Sequence, residues 1–193
     1  FVSGIRLRLV RIIATVGVLL MPLAWFVLKD YQKQRILVFM NPDIDPFGSG
    51  YHNIQSKIAI GSGTIFGKGL FNGTQSQLNF LPENHTDFIF SVIGEELGFI
   101  GCIFVLILLF MLIYRSIKVA YSCNDRLGML LATGIASKLC FEVLVNAGMT
   151  MGIMPVTGIP LPFISYGVSA LTTNMISVGI LLNISMQRKK YIL

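Results

Sequence analysis

Four long apolar runs dominate this chain and limit the folds that it can adopt. They extend over residues 12–28, 88–114, 127–154 and 163–186, and each is long enough to cross a bilayer as a helix. A spanning segment must satisfy its own backbone hydrogen bonds, which leaves helices and closed barrels. We therefore expect an all-α integral membrane protein with four transmembrane helices, forming a single membrane domain over residues 1–193.

Composition supports a membrane protein, and the charges indicate its orientation. The chain is 54% hydrophobic and 12% charged, with a mean hydropathy of +0.74, outside the range of ordinary soluble domains. Short cytoplasmic loops retain Lys and Arg. Basic residues precede the first run, lie between the second and third runs, and follow the fourth: Arg6, Arg8, Arg11, Arg115, Lys118, Arg126, Arg188, Lys189 and Lys190. We therefore expect 29–87 and 155–162 to lie outside the cytoplasm. The net charge of +6 then reflects topology, not a nucleic-acid partner.

The connection over residues 29–87 is far longer than the roughly 12–15 residues beyond which loops usually have structure or function of their own. Its middle reads GSGYHNIQSKIAIGSGTIFGKGLFNGTQSQLNFLP, in which glycines alternate with short apolar pairs. Glycines permit tight, closely packed backbone turns. The sequence therefore predicts one long, structured extracytoplasmic loop.

Thr86 and Asp87 stand where this loop enters the second apolar run. One interpretation is a helix N-cap, in which a side-chain oxygen accepts a hydrogen bond from an orphan backbone N–H. The other is functional: a carboxylate at the water-facing rim of a membrane cavity can serve as a general base. The two interpretations are compatible, and the residues alone leave both open.

Four further charges lie inside the runs, where charges are costly and mark candidate functional sites. Glu95 and Glu96 lie about 80° and 180° around the helix from Asp87, so at least one needs a partner elsewhere. Lys138 and Glu142 are spaced i to i+4. This spacing favours a structural ion pair, with a relay as the alternative.

Cysteine and histidine usage indicates no metal site. Cys102, Cys123 and Cys140 fall in two runs and one cytoplasmic loop, and we interpret them as packing residues. His52 and His85 have no Cys or His at the spacing of a zinc site. No metal ligands are therefore predicted.

Three ordered stretches carry a family resemblance: NPDIDPFGSGYHNIQSKIAIGSG, GKGLFNGTQSQLNFLPENHTDFIFSVIGEELGF and VNAGMTMGIMPVTGIPLPFISYG. Together they resemble the carboxy-terminal part of the SEDS (shape, elongation, division and sporulation) family, over nearly all of the chain. Members of that family have about ten spans, so the resemblance implies that these are the last four. It also implies that the chain is a fragment or a truncated copy.

The chain departs from the family pattern at a few positions. Thr64 stands where the family usually has a second glycine after GSG, and Val168 interrupts the usual SYGGS. Lys138 and Glu142 place charges where apolar or amide side chains are commoner.

The resemblance implies a peptidoglycan glycosyltransferase in the bacterial cytoplasmic (inner) membrane. Such an enzyme polymerises lipid II on the outer face during cell elongation and shape maintenance, beside a class B penicillin-binding protein that crosslinks the product. Asp87, in the motif HTDF, is implied as the catalytic residue. Five residues are expected to contact the substrate: Lys57, Lys68, Gln75, His85 and Thr86.

The two cations of that set are expected to assist the polyprenyl pyrophosphate leaving group, which departs as an anion. Glu95 and Glu96 are expected to fix the junction between loop and helix. The sequence indicates no cofactor, although it leaves a divalent cation open.

Two other functions are compatible with the residues. A flippase or carrier for the lipid-linked precursor would also place polar residues within spans. A catalytically idle scaffold for a transpeptidase would bind its partner through apolar span faces and would tolerate loss of Asp87.

Overall fold

The computed structural model describes residues 7–41, 45, 49–78 and 85–190. Arg6 and loop residues 42–44, 46–48 and 79–84 lie outside this part of the chain. The described residues form seven helices and no strand: α1 Leu7–Val27, α2 Asp30–Met40, α3 Ser49–Ser62, α4 Thr74–Gln77, α5 Ile89–Tyr121, α6 Arg126–Thr150 and α7 Val168–Lys190. The all-α prediction therefore holds for these residues.

Within the described part of the chain, three helices are long and apolar enough to cross a membrane: Ile89–Tyr121, Arg126–Thr150 and Val168–Gln187. They correspond to the predicted spans 88–114, 127–154 and 163–186. The predicted first span, 12–28, coincides with α1, which is helical through Pro22. That α1 also crosses the membrane stays a prediction, as do the four-span architecture and the membrane side of the loop.

The helix ends differ from the predicted ends of the spans for local reasons. α5 continues to Tyr121, and Lys118 lies in its last turn, where a cation interacts favourably with the helix dipole. The Asp125 side chain caps α6 by accepting a hydrogen bond from Gly128 N at 2.9 Å. α6 ends at Thr150, just before Gly152 adopts a φ of +72°.

Residues 29–87 hold α2, α3 and α4. α3 packs against α5 and α6 through a stripe of small and polar side chains, and Ser56 and Ala59 are almost completely buried. The Ser56 hydroxyl lies 2.6 Å from the Ser91 hydroxyl on α5 and donates to the Thr150 carbonyl on α6 at 2.7 Å. The described part of this connection is therefore docked onto two candidate spans.

α5 is broken at Gly98, where φ is 66° and ψ is −164°. The break leaves carbonyl groups on one side and N–H groups on the other without partners inside the helix. Residues 64–69 satisfy them through four backbone hydrogen bonds of 3.0–3.2 Å: Phe99 N to Thr64 O, Ile100 N to Ile65 O, Lys68 N to Glu95 O and Gly69 N to Glu96 O. A continuous span was expected from the sequence, and the loop insertion explains why the helix is broken instead.

Glycine is required where this loop segment crosses the helix. A Cβ atom at Gly67 would lie 2.1 Å from the Glu96 carbonyl oxygen, and one at Gly98 would lie 2.3 Å from Gly67 N. Real Cβ atoms do not approach so closely. Thr64, one of the departures from the family pattern, has a positive φ of 51°, a conformation that glycine adopts more readily.

The core lies between α5 and α6, and its buried members include Phe90, Leu109, Leu139, Val143 and Leu161. α7 joins this pair partly through apolar contacts and partly through Lys138. The Lys138 ammonium lies 3.2 Å from the Glu142 carboxylate and donates to Asn174 Oδ1 on α7 at 2.6 Å. The predicted Lys138–Glu142 ion pair is confirmed, and the buried amide of Asn174 extends it to a second helix.

Candidate active site

The segment that contains Asp87 is a turn over residues 85–88 that leads into α5. Three successive carbonyl groups of this turn accept hydrogen bonds from the carboxy-terminal third of the chain. The donors are Tyr166 N to His85 O at 2.8 Å, Ser165 Oγ to Thr86 O at 2.6 Å, and Asn146 Nδ2 to Asp87 O at 3.0 Å. His85, Thr86 and Asp87 are therefore each held by a group that is distant in sequence.

The start of α5 tests the N-cap interpretation of Thr86 and Asp87. Phe88 is the N-cap residue of α5, with no side-chain capping hydrogen bond. The interpretation that Thr86 or Asp87 is the N-cap residue of this helix is therefore wrong, because Phe88 occupies that position after the turn over 85–88.

The carboxylate of Asp87 lies against the connection between α6 and α7. A Cβ atom at Gly158 would lie 3.2 Å from Asp87 Oδ2, and Gly158 has a φ of +74°. Asp87 itself is half-buried. The two connections that are predicted to lie outside the cytoplasm thus meet at this carboxylate.

Two cationic side chains reach the same connection. The Lys57 side chain covers Gly152, where an added Cβ would lie 1.9 Å from Lys57 Cε and 2.5 Å from Nζ. Arg35 Nη1 on α2 donates to the Val156 carbonyl at 3.1 Å. The sequence had suggested Lys57. The sequence did not identify Arg35 as a cation of the site, because it is one of several charged residues in a long loop.

Lys68 and Gln75 lie at a second cluster, around the fully buried Glu95. The Glu95 carboxylate accepts hydrogen bonds from Lys68 Nζ at 2.9 Å, Thr74 Oγ1 at 3.2 Å, Gln75 N at 2.9 Å and Ser76 N at 3.1 Å. Glu95 therefore joins α5 to the amino-terminal end of α4. This confirms the expected junction role of Glu95, while the side chain of Glu96 is only half-buried.

The remaining predicted site residues are His85, which is exposed, and Thr86, which is half-buried. His52 on α3 also approaches the turn, with its ring centroid 6.3 Å from that of Phe88. Burial lowers the pKa of His52, and the negative charge of Asp45 partly opposes that effect. Burial therefore favours the neutral form of His52.

Within the described residues, no group of three or more His, Cys, Asp or Glu side chains is arranged to hold a metal ion. The connection between α6 and α7 is contacted by the Asp87 carboxylate at Gly158, by the Lys57 side chain at Gly152 and by the Arg35 guanidinium at Val156. A carboxylate can take a proton from a hydroxyl. Cations can stabilise a departing anion.

Comparisons with known proteins give a consistent result. The family model FTSW_RODA_SPOVE, described as cell cycle protein, matches residues 1–190. The chain is 48% identical over 190 residues to the peptidoglycan glycosyltransferase MrdB of Escherichia coli strain K12, covering 98% of this chain and 51% of that relative. It is 48% identical over 159 residues to the peptidoglycan glycosyltransferase RodA of Treponema pallidum, covering 82% of this chain and 37% of that relative.

A solved structure is also similar. It is described as "Structural coordination of polymerization and crosslinking by a peptidoglycan synthase complex", and it matches with a TM-score of 0.76 at 34% identity. The match covers 97% of this chain and 52% of the other. The chain therefore spans about half the length of the relatives that cover it almost completely. The names of the relatives agree with the family that the sequence motifs indicated.

Proposed function

This chain belongs to the FTSW_RODA_SPOVE family of cell cycle proteins, and from that membership we propose that it is a peptidoglycan glycosyltransferase. The chain spans about half the length of the relatives that cover it almost completely, so the activity is proposed for the whole protein. Its reaction is the polymerisation of lipid II into glycan strands during cell elongation and shape maintenance. Support comes from the names of relatives that are 48% identical.

One observation carries the mechanism: the backbone carbonyls of His85, Thr86 and Asp87 are each held by a hydrogen bond from elsewhere in the fold. Such anchoring is what a general base needs, because proton transfer requires a fixed distance to the reacting group. In the proposed step, the Asp87 carboxylate takes the proton of the acceptor sugar hydroxyl while that oxygen attacks the anomeric carbon of the donor. The bond from that carbon to the pyrophosphate oxygen breaks.

The leaving group is a polyprenyl pyrophosphate, which departs as an anion and needs positive charge more than it needs a proton. Lys57 and Lys68 are the cations proposed for it. Lys57 is exposed and lies beside the connection that Asp87 contacts. Lys68 already pairs with Glu95, so Lys57 is the stronger candidate. Gln75, His85 and Thr86 are proposed to shape the substrate pocket.

The proposal assigns the base and the cations to the chain itself and leaves a divalent cation open. The site is proposed to face the outside of the bacterial cytoplasmic membrane, where lipid-linked sugars present their headgroups. A class B penicillin-binding protein is the proposed partner. The solved relative described as a peptidoglycan synthase complex supports this assignment.

The Asp87→Asn substitution tests the proposal. Asparagine keeps the size and the backbone anchors of Asp87 but cannot accept a proton in this pH range. In the protein purified with its transpeptidase and supplied with lipid II, glycan synthesis should fall about 100-fold to 10,000-fold. Insertion and partner binding should be unchanged. The matched control is Asp30→Asn, which removes an exposed carboxylate from α2 and should retain wild-type activity.

The same assay separates the other two functions. A flippase would move labelled lipid II across a vesicle bilayer without making polymer. A scaffold would bind the transpeptidase equally well in the wild-type and Asp87→Asn forms while neither form polymerised lipid II. Near wild-type polymerisation by Asp87→Asn would remove the catalytic assignment.

A further inference from the structure

Asn146 lies on α6 with no exposed surface. Its side-chain nitrogen donates two hydrogen bonds, to Asp87 O at 3.0 Å and to Ile159 O at 2.8 Å. One amide group therefore connects the turn that contains Asp87 to the connection between α6 and α7. We propose that Asn146 is a positioning residue for glycosyl transfer, which sets the place of the Asp87 carboxylate relative to that connection.

The chemistry of the two acceptors explains why this residue is an amide. Both partners are backbone carbonyls, so the bridging group must supply two donors from one point. The NH₂ group of asparagine has two donors and no charge, whereas a hydroxyl has one donor and a carboxylate has none. An ammonium has enough donors, but it would bring an unpaired charge into a fully buried position.

The bridge acts on the carboxylate from two sides. The bond to the Asp87 carbonyl fixes the backbone from which the carboxylate extends. The bond to Ile159 fixes the residue after Gly158, and Gly158 is the position that packs against Asp87 Oδ2. Asn146 therefore influences the direction of the carboxylate through the backbone, without contacting the substrate. A misplacement of about 1 Å in such a group can cost about 100-fold in rate.

Removal of the amide should shift the turn without detaching it. Ser165 and Tyr166 still hold the carbonyls of Thr86 and His85, and Ser165 Oγ also accepts a hydrogen bond from Leu161 N at 2.7 Å. These anchors do not pass through Asn146. The expected defect is therefore in the rate of the chemical step and not in folding.

The inference rests on the proposed function, and the experiment uses the protein purified with its transpeptidase. Asn146→Ala should lower kcat for lipid II polymerisation about 10-fold to 100-fold, with KM changed by less than about threefold. Asn146→Ser, which keeps one donor, should give an intermediate kcat and provides a second variant should alanine not fold. The matched control is Asn174→Ala, which removes another buried amide, on α7, and should keep its kcat.

A second readout is independent of catalysis. Carbodiimide modification of Asp87, followed by mass spectrometry, should change severalfold in rate in Asn146→Ala and stay at the wild-type rate in Asn174→Ala. If wild-type protein makes no polymer, the proposed function fails, and the labelling rates still decide the positioning role. If labelling is unchanged, or if kcat falls equally in both alanine variants, or if only KM rises, Asn146 is not a positioning residue.

Discussion

The ammonium of Lys68 lies 2.9 Å from Oε1 of Glu95, a carboxylate with no exposed surface inside a candidate membrane span. The same oxygen accepts hydrogen bonds from Thr74 Oγ1 and Gln75 N. The charge is therefore paired and hydrogen-bonded, as a buried charge must be. Beside it, the loop backbone satisfies the broken helix at Gly98, so one junction combines an ion pair with four backbone hydrogen bonds.

Glu95→Gln should destabilise the protein by about 3 kcal/mol, the lower end of the range for breaking a buried pair, because Lys68 is partly exposed to solvent. Thermal unfolding in detergent measures the effect. Glu96→Gln is the control, since the side chain of Glu96 is only half-buried, and it should change stability by less than about 1 kcal/mol. Equal effects of the two substitutions would contradict the junction role of Glu95.

Gly98→Ala should prevent the loop from docking at the break in α5. The backbone conformation there is one that essentially only glycine adopts, which costs another residue about 1–3 kcal/mol, and the new Cβ would also lie 2.3 Å from Gly67 N. The measurement is the fraction of monodisperse protein in size-exclusion chromatography.

The control for this substitution is Gly134→Ala on α6, where no atom lies within 4 Å of the added Cβ. In the interior of a helix this change should stabilise by about 0.5–1 kcal/mol. If Gly98→Ala gave the same chromatographic profile and the same unfolding as the wild type, the loop would not be what fixes the break in α5.

The sequence indicated most of what depends on local pattern. The apolar runs predicted α5, α6 and α7, and the i to i+4 spacing predicted the ion pair between Lys138 and Glu142. The sequence did not predict the break at Gly98, because its cause is the docking of residues 64–69, a tertiary contact that leaves no periodicity in α5. Residues 97–114 contain no charged residue and no proline, so composition does not mark a break at Gly98.

Within the candidate site, the predictable part was the position of Asp87 at the end of a run. Asn146 had a signal, a polar residue inside an apolar stretch, but its partners are carbonyl groups that sequence does not display. Lys68 and Gln75 were grouped with Asp87 because they share a loop, and the sequence did not show that both also contact Glu95. Charge and proximity in sequence do not reveal which carboxylate a cation approaches.

The orientation predicted from basic residues can be measured by cysteine labelling. In a background where Cys102, Cys123 and Cys140 are replaced, a membrane-impermeant probe should label Gln77→Cys in intact cells. Gln77 is exposed, so its new thiol should be reachable. Ser122→Cys, between α5 and α6, should react only after permeabilisation. The opposite pattern would invert the topology and remove the proposed outer location of Asp87.

Lys138 and Glu142 should show thermodynamic coupling, because replacing either residue leaves the charge of the other without its ionic partner. Their side chains are 35% and 18% exposed, so the expected coupling is modest, about 0.5–2 kcal/mol. Thermal unfolding of Lys138→Met, Glu142→Gln and the double variant in detergent measures it. The stability losses of the two single variants should sum to more than the loss of the double variant.

The hydrogen bond from Lys138 to Asn174 makes a further prediction: Asn174→Leu should weaken the packing of α7 on α6 in the wild type but have a smaller effect in Lys138→Met. Strict additivity in both cycles would mean that the observed contacts do not stabilise the helix pair.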